Sequence, residues 1–160
     1  MSLERAKAHL AEYGHDGDIL EFGVSSATVE LAAQAVGCEP ERIAKTLSFA
    51  VGDRVALVVC AGDARIANPK FKKQFGCKAK MLPAEEAESR IGHAVGGVCP
   101  FGVEDECDVY FDESLRRFET IYPACGSSNS AIALAPDELT ELVPQGVWVD
   151  VCKLPDQTEA

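Results

Sequence analysis

Apolar and polar residues recur along the first third of the chain at helical spacing and then at strand spacing. Residues 3–13 place leucine and alanine among charges every three or four positions, which predicts an amphipathic helix ended by a glycine. Residues 29–36 repeat this pattern, and the serine and threonine side chains at 25–28 are candidate N-caps for that helix. A short apolar run at 18–22 predicts a strand between the two helices.

Two longer apolar runs, 45–51 and 54–61, follow this region and predict paired strands. The glycine-aspartate pair between them is typical of a tight hairpin turn. Because the second run is apolar on both faces, we expect it to be a central strand that is covered on both sides.

Helices and strands continue to alternate through the remaining sequence. The pattern predicts helices at 68–75, from 83 and from 136, and strands at 78–82, 107–112, 119–124, 131–134 and 147–151. An interleaved order of this kind over 160 residues predicts one α/β domain. We expect that domain to span residues 1–153 and residues 154–160 to be a flexible tail.

The composition is that of an ordinary globular protein, with 47% hydrophobic and 26% charged residues. No apolar run reaches the roughly 18 residues that a membrane span needs, and the mixed-charge start lacks the apolar core of a secretory signal. We therefore expect a cytoplasmic protein. The seven cysteines are scattered singly without a C-x-x-C pair, which favours reduced thiols over disulfides or a metal site.

Charge is distributed unevenly along the chain. The net charge of −11 argues against a general nucleic-acid binder, since non-specific affinity comes from cations that neutralise phosphates. The segment 64–84 nevertheless contains six basic residues and no acidic one: Arg65, Lys70, Lys72, Lys73, Lys78 and Lys80. This segment has two interpretations, a solvated helix face or a surface that meets phosphates.

Two local features are candidate sites of chemistry. Lys45 begins an apolar strand without an adjacent carboxylate, so it either presents a fixed cation to a phosphate or carbonyl oxygen or simply reaches solvent. A glycine-rich loop lies at 92–102, and its exposed N–H groups can bind a carbonyl or carboxylate oxygen; the alternative is a tight structural turn. The substrate-binding residues predicted there are Gly96, Gly97, Val98, Cys99, Pro100, Phe101 and Gly102. We expect the Phe101 side chain to form an apolar wall of the site.

These motifs together resemble those of a known family. The K-T-L run at 45–47, the loop at 95–102, and the segments 121–126 and 133–139 occur in the order and spacing of the YbaK/EbsC-like aminoacyl-tRNA deacylase family. The resemblance covers nearly the whole chain. It implies a single α/β domain with a curved, barrel-like mixed β-sheet flanked by helices, the fold of the prolyl-tRNA synthetase editing domain. It also implies hydrolysis of the ester that joins a wrong amino acid to the tRNA 3′ end.

Carried over residue by residue, the resemblance makes Lys45 the essential catalytic lysine and Gly97 to Pro100 part of the substrate loop. It implies no protein nucleophile, no metal and no organic cofactor, with a water attack that the substrate itself assists. The expected partners are aminoacyl-tRNA of the proline type, carrying cysteine or alanine, and prolyl-tRNA synthetase, but no membrane. The amino acid removed stays open, as does the choice between monomer and homodimer.

The chain departs from the family pattern in the segment 126–131. Two serines replace a lysine-arginine pair there, and Ala131 replaces an aspartate. The resulting expectation is substrate binding by Gly126, Ser127 and Ser128 and tRNA binding by Lys70, Lys72 and Lys73.

Two alternatives to this assignment are open. Within the glycine-rich loop, Cys99 is a candidate nucleophile with His93 as its base, although nothing in the sequence orients that histidine. The alternative from a different class of protein is a non-catalytic module that uses the same pocket to bind an aminoacyl end or a small ligand.

Overall fold

The computed structural model of the chain describes residues 2–23 and 28–155, in which helices and strands alternate. The α-helices of these residues are α1 (Ser2–Ala11), α2 (Val29–Val36), α3 (Asn68–Phe75), α4 (Ala87–Ile91) and α5 (Pro136–Leu142). The strands are β1 (Leu20–Glu21), β2 (Ile43–Val51), β3 (Arg54–Ala61), β4 (Arg65–Ile66), β5 (Cys107–Asp112), β6 (Tyr122–Pro123), β7 (Ser130–Ala131), β8 (Val147–Val149) and β9 (Cys152–Lys153). None of these helices has the length and apolar character needed to cross a membrane.

The predicted hairpin forms the centre of the main sheet. β2 and β3 pair antiparallel in a register that sets Lys45 opposite Cys60. The sheet has the order β6-β2-β3-β5-β8, and all its other neighbours are parallel. The result is a curled, mixed half-barrel with helices packed around it, so the predicted α/β fold is confirmed.

The hydrophobic core is built on β3. Every residue of this strand after Arg54 is buried, as its two-sided apolar pattern predicts. Burial of a full apolar side chain stabilises a fold by roughly 1.5–3 kcal/mol, so a strand covered on both faces is a large part of the stability. The strand therefore provides a fixed frame for its neighbour β2, which carries Lys45.

An aromatic cluster holds the basic helix α3 against the sheet. The ring of Phe71 lies 4.8 Å from that of Phe49 on β2 and 4.5 Å from that of Phe75, measured between ring centroids. Such tilted pairs add about 0.5–1.5 kcal/mol beyond the area they bury. Because this face of α3 is anchored, Lys72 and Lys73 are directed to solvent, where both are exposed.

Local signals set the ends of α2. The Thr28 hydroxyl accepts a hydrogen bond from the Leu31 N–H at 3.1 Å, which makes Thr28 the N-cap. Gly37 closes the helix in the left-handed conformation with a φ of 85°. The other N-cap candidates, at 25–27, and residues 156–160 of the predicted tail lie outside the described residues.

Several predicted strands are shorter in the structure. The run 78–82 makes an isolated bridge between Met81 and Phe49, because two hydrogen bonds join it to β2 before Pro83 ends the pairing. The run 119–124 is reduced to β6 and a bridge from Ile121 to Leu134, since Pro123 has no N–H to extend a ladder.

Candidate active site at Lys45

Lys45 is held in place by the backbone that follows β3. Its half-buried side chain donates a hydrogen bond from Nζ to the Gly62 carbonyl oxygen at 3.2 Å. Gly62 packs closely against the Pro40 backbone, since a Cβ at this position would overlap the Pro40 carbonyl oxygen. Within the described part of the chain, no carboxylate pairs with the ammonium group. The cation is therefore oriented without being neutralised.

An apolar pocket of about 350 Å³ opens beside Lys45. Its lining residues are Thr28, Val29, Ala32, Ile43, Ala44, Lys45, Thr46, Ser48, Met81, Leu82, Ala84, Val95, Gly96, Val98, Tyr122, Ala124, Ser130 and Ala131. Five of them carry hydroxyl groups, and Lys45 is the one charged residue among the lining residues that the structure describes. No thiol, imidazole or carboxylate that could act as a nucleophile or a base belongs to this described lining. The pocket suits a small, mostly apolar group with a few polar contacts.

The glycine-rich loop reaches the apolar pocket through Gly96 and Val98. Gly96 has a φ of 96°, a conformation that favours glycine. Gly97 lies against the backbone of the next loop, since a Cβ there would come within 2.6 Å of the Gly126 carbonyl. Backbone contact thus joins two of the predicted substrate-binding segments.

The second half of the loop lies behind the pocket. Cys99, Pro100 and Phe101 are buried and do not belong to the pocket lining. The Phe101 ring packs on His9 of α1, with 5.7 Å between ring centroids. Gly102 is held by the same helix, because its N–H donates to His9 Nδ1 at 3.0 Å. The expectation that Phe101 forms a wall of the pocket is therefore wrong, since contacts with α1 draw its ring into the core.

The geometry does not support Cys99 as a nucleophile with His93 as its base. The Cys99 Sγ lies 3.5 Å from His93 Nε2, yet that nitrogen lies 2.6 Å from the Phe101 carbonyl oxygen. A carbonyl oxygen only accepts hydrogen bonds, so Nε2 of His93 carries the hydrogen and donates a hydrogen bond to the Phe101 carbonyl oxygen. Burial raises the pKa of the Cys99 thiol to about 12 and lowers the pKa of His93. Both groups are thus neutral and fully buried.

The loop after β6 places Ser130 in the lining of the apolar pocket, and the sequence prediction did not include this residue. The Ser127 hydroxyl lies 2.7 Å from the Ser130 hydroxyl and 3.0 Å from Asn129 Oδ1, so it is engaged within the loop. Asn129 Nδ2 in turn donates to the Phe22 carbonyl oxygen at 2.9 Å. Ser130 lines the apolar pocket, whereas Gly126, Ser127 and Ser128 are outside its lining. The sequence signal for substrate binding was the polar run that follows Gly126. That run did not show which of its hydroxyl groups faces the pocket.

The lysines of α3 are separate from the apolar pocket. Lys70 Nζ donates to Asp150 Oδ1 at 3.0 Å and to the Cys152 carbonyl oxygen at 3.1 Å, which ties α3 to the chain around β9. Lys72 and Lys73 are exposed on the helix and do not line the apolar pocket. A contact of these lysines with tRNA would therefore lie outside the pocket.

A second cavity adjoins the first at Lys45. This polar groove, of about 590 Å³, is lined by Val29, Glu30, Lys45, Gly62, Asp63, Ala64, Arg65, Lys153, Leu154 and Pro155. Val29 and Lys45 line both cavities, and the Lys45 ammonium group donates to Gly62, which lines the groove. The sequence did not indicate this groove, because Arg65 and Lys153 are 88 positions apart and meet only through the pairing of β4 with β9.

Residues 24–142 match the family model of the aminoacyl-tRNA editing domain. This match covers most of the chain, and the chain therefore belongs to the aminoacyl-tRNA editing domain family. The resemblance drawn from the sequence motifs is confirmed at this level.

Individual relatives agree with the family assignment. An uncharacterized Bacillus subtilis protein, YwhH, is 51% identical over 96% of this chain and 98% of its own length. The proline–tRNA ligase of Shouchella clausii is 32% identical over 81% of this chain, which covers only 23% of that ligase. A solved structure described as a candidate trans-editing enzyme for prolyl tRNA synthetase superposes with a TM-score of 0.84 at 29% identity, over 95% of this chain and 97% of the other.

Proposed function

We propose that this protein is a trans-acting aminoacyl-tRNA deacylase, which hydrolyses the ester between a wrongly attached amino acid and the tRNA 3′ end. The observation that carries the proposal is the position of Lys45, a cation that no described carboxylate pairs with, in the lining of an apolar pocket in a chain of the editing-domain family. Editing substrates combine an apolar or small side chain with a charged ribose-phosphate end. In this proposal the apolar pocket receives the side chain of the amino acid, and Lys45 contacts the charged ribose-phosphate end.

The proposed reaction uses water and groups of the substrate. The oxygen of a water molecule attacks the ester carbonyl carbon, and the bond to the ribose oxygen breaks. The ribose oxygen takes up a proton, with a neighbouring substrate hydroxyl assisting the transfer. The described pocket lining carries no thiol, imidazole or carboxylate, which supports a step without a protein nucleophile.

Lys45 and the glycine-rich loop have complementary roles in this proposal. The ammonium group stabilises the negative charge of the 3′-terminal nucleotide or of the developing oxyanion. Backbone N–H groups at Gly96 and Val98, which line the pocket, hold the aminoacyl group. The Gly97 N–H closes the turn by donating to the Ala94 carbonyl oxygen at 3.0 Å, so these donors are fixed before substrate binds.

The proposed substrate is tRNA of the proline type that carries alanine or cysteine. The likeness to a proline–tRNA ligase supports this class of tRNA, and the pocket volume of about 350 Å³ is large enough for the whole aminoacyl group. The protein would act in the cytoplasm, where aminoacyl-tRNAs are used, alongside prolyl-tRNA synthetase. Lys72 and Lys73 would supply further contacts with the tRNA from the exposed face of α3.

One observation favours a second candidate function, a non-catalytic module that binds aminoacyl ends. The loop after β6 carries Ser127 and Ser128 where a lysine-arginine pair is expected, and the Ser127 hydroxyl is already engaged with Ser130. A binding module needs fewer groups directed at the reacting ester than a hydrolase does.

A panel of aminoacyl-tRNAs separates the two functions. The purified protein is incubated with proline, alanine and cysteine esters of proline tRNA and with correctly charged alanine tRNA, and release of labelled amino acid is followed. A deacylase releases alanine or cysteine from proline tRNA faster than the uncatalysed rate and spares the correctly charged tRNA. Retention of every ester, together with measurable tRNA binding, would establish the binding module instead.

A further inference from the structure

The orientation of Lys45 depends on a backbone carbonyl group of the turn after β3. Its Nζ donates to the Gly62 carbonyl oxygen at 3.2 Å, and within residues 2–23 and 28–155 this is the one hydrogen bond of the ammonium group. A lysine side chain is a point charge on a flexible four-carbon stem. The position of the Gly62 carbonyl group therefore sets where the ammonium group lies.

A 3₁₀-helical turn, Glu113–Arg117, follows β5 and holds the residue before Gly62. The Ala61 N–H donates to the hydroxyl oxygen of Ser114, a buried residue, at 3.1 Å. The N–H of Ser114 donates in turn to the buried Asp112 carboxylate at 2.9 Å. Hydrogen bonds to a carboxylate are stronger than those between neutral groups, so the serine is itself firmly held.

The same turn holds the residue after Gly62. The Arg117 guanidinium donates to both oxygens of the Asp63 carboxylate, with N–O distances of 2.6 and 3.2 Å. Its Nε donates to the Ser114 carbonyl oxygen at 2.9 Å, which orients the guanidinium on the turn. Paired donors of this kind fix direction as well as distance. Gly62 thus lies between two residues that one turn holds from both sides.

From this arrangement we infer that Ser114 and Arg117 are positioning residues for Lys45. They fix the Gly62 carbonyl oxygen, and that oxygen fixes the ammonium group beside the apolar pocket. Neither residue belongs to the described lining of this pocket, so both act through the backbone rather than on the substrate. The dependence of ester hydrolysis on them rests on the proposed function, whereas their effect on the orientation of Lys45 does not.

The test uses Ser114→Ala, Arg117→Gln and the double substitution. The matched control is Arg116→Gln, which removes the same charge from the same turn. Arg116 pairs with Glu113 and lies over the Trp148 ring, 4.0 Å from its centroid, so it contacts a different part of the surface. A thermal melt of each variant establishes that it is folded.

The first measurement follows Lys45 itself. A limiting amount of an amine-reactive ester acylates the lysines, and peptide mass spectrometry gives the rate at each position. An ammonium group that donates to a fixed carbonyl must leave it before its nitrogen can react. We expect the Lys45 rate to rise about two- to tenfold in the double variant, the factor that one hydrogen bond of ordinary net strength contributes. Half-buried Lys70, which donates to Asp150 and to the Cys152 carbonyl oxygen, is the internal reference and keeps its rate.

The second measurement is single-turnover release of amino acid from mischarged proline tRNA. We expect the rate of the double variant to fall about tenfold or more, since misplacement of a catalytic group by about 1 Å can cost about 10²-fold. The Arg116→Gln control keeps the rate of the unchanged protein in both measurements.

Equal labelling of Lys45 in the folded double variant and in the unchanged protein would overturn the inference. An equal rise at Lys70 or in Arg116→Gln would also overturn it, because a general loosening of the fold would then account for the result. Faster labelling of Lys45 with an unaltered hydrolysis rate would do the same, since the orientation of Lys45 would not affect the reaction.

The two measurements together separate this inference from the proposed function. Faster labelling of Lys45 in the double variant, without ester hydrolysis by the unchanged protein, would refute the deacylase and support the positioning of Lys45 by the turn. Ester hydrolysis by the unchanged protein, with unaltered labelling in the double variant, would support the deacylase and refute the positioning.

Discussion

Single residues of the site are fixed by contacts that differ in kind. Lys45 is oriented by one hydrogen bond to a backbone carbonyl, whereas Gly97 is fixed by the lack of a side chain. His93 is held by burial and by its short hydrogen bond to the Phe101 carbonyl oxygen. Each kind of contact predicts a different consequence of substitution.

Replacing Gly97 by alanine should separate the glycine-rich loop from the loop at Gly126. The new Cβ would come within 2.6 Å of the Gly126 carbonyl, and backbone on both sides leaves little room to relax. We expect Gly97→Ala to lose about 1–3 kcal/mol of unfolding free energy, in the range of a strained or overpacked site, and most of the proposed deacylase activity. Denaturant unfolding measures the first and ester hydrolysis the second.

Gly17→Ala is the matched control, because nothing lies within 4 Å of a Cβ at that position. It should keep both stability and activity. A Gly97→Ala variant as stable and active as the control would show that the close packing of the two loops is unimportant.

His93 should make the protein lose stability in mild acid. Burial lowers the pKa of this residue in the folded state below its ordinary value of 6.5, so the unfolded chain binds the proton more readily. The stabilisation is therefore complete above about pH 6.5 and is lost as the pH falls below that value. The slope due to one proton is at most about 1.4 kcal/mol per pH unit.

His93→Gln removes this titration while its amide can still donate to the Phe101 carbonyl. Unfolding free energies between pH 7.5 and 5 should fall less steeply for this variant than for the unchanged protein. Parallel curves for the two proteins would contradict a buried neutral histidine at this position.

At the scale of elements, the predictions that rest on neighbouring residues include the most accurate ones, whereas contacts between distant segments could not be predicted. The hairpin of β2 and β3 and the bounds of α3 follow from turn chemistry and periodicity, which act between neighbours. The burial of Phe101 depends on α1, which contacts the loop through residues 93 and 97 positions away. No pattern within the loop carries that information.

The same limit explains what was missed at the site. Ser130 faces the pocket because β7 pairs with β1 and brings the loop after β6 against the start of the chain. The polar groove exists because β4 pairs with β9. Both pairings involve strands of two residues, which are too short to show a sequence period.

The N-cap of α2 connects an element to the site, since Thr28 both caps the helix and lines the apolar pocket. Thr28→Ala should lose about 1 kcal/mol of unfolding free energy, because the first turn loses an acceptor for the Leu31 N–H. Thr28→Ser keeps the acceptor and should stay within a few tenths of a kcal/mol of the unchanged protein. Equal losses in the two variants, measured by denaturant unfolding, would show that the hydroxyl does not act as a cap.

At the scale of the whole molecule, an acidic protein must attract a polyanion through a few concentrated cations. The exposed Lys72 and Lys73 on α3 are one such place in the proposed function. Because they lie outside the apolar pocket, their contacts should affect capture of tRNA more than the chemical step.

Lys72→Gln combined with Lys73→Gln should therefore raise the KM for mischarged tRNA several-fold and leave kcat within twofold. Lys7→Glu changes the net charge equally and should have a smaller effect on KM. A double variant with unchanged KM, or with reduced kcat alone, would exclude the outer face of α3 from the tRNA contact.

The central claim is that Lys45 acts on the ester of a mischarged tRNA. Single-turnover release of labelled alanine or cysteine from proline tRNA tests it directly in the unchanged protein, in Lys45→Met, and in Lys78→Met as a control on the exposed surface. Loss of one preorganised charge contact to a transition state typically reduces the rate by about 10²–10³-fold. We expect that loss for Lys45→Met and none for Lys78→Met, whereas release by Lys45→Met at the unchanged rate would contradict the assignment of this site.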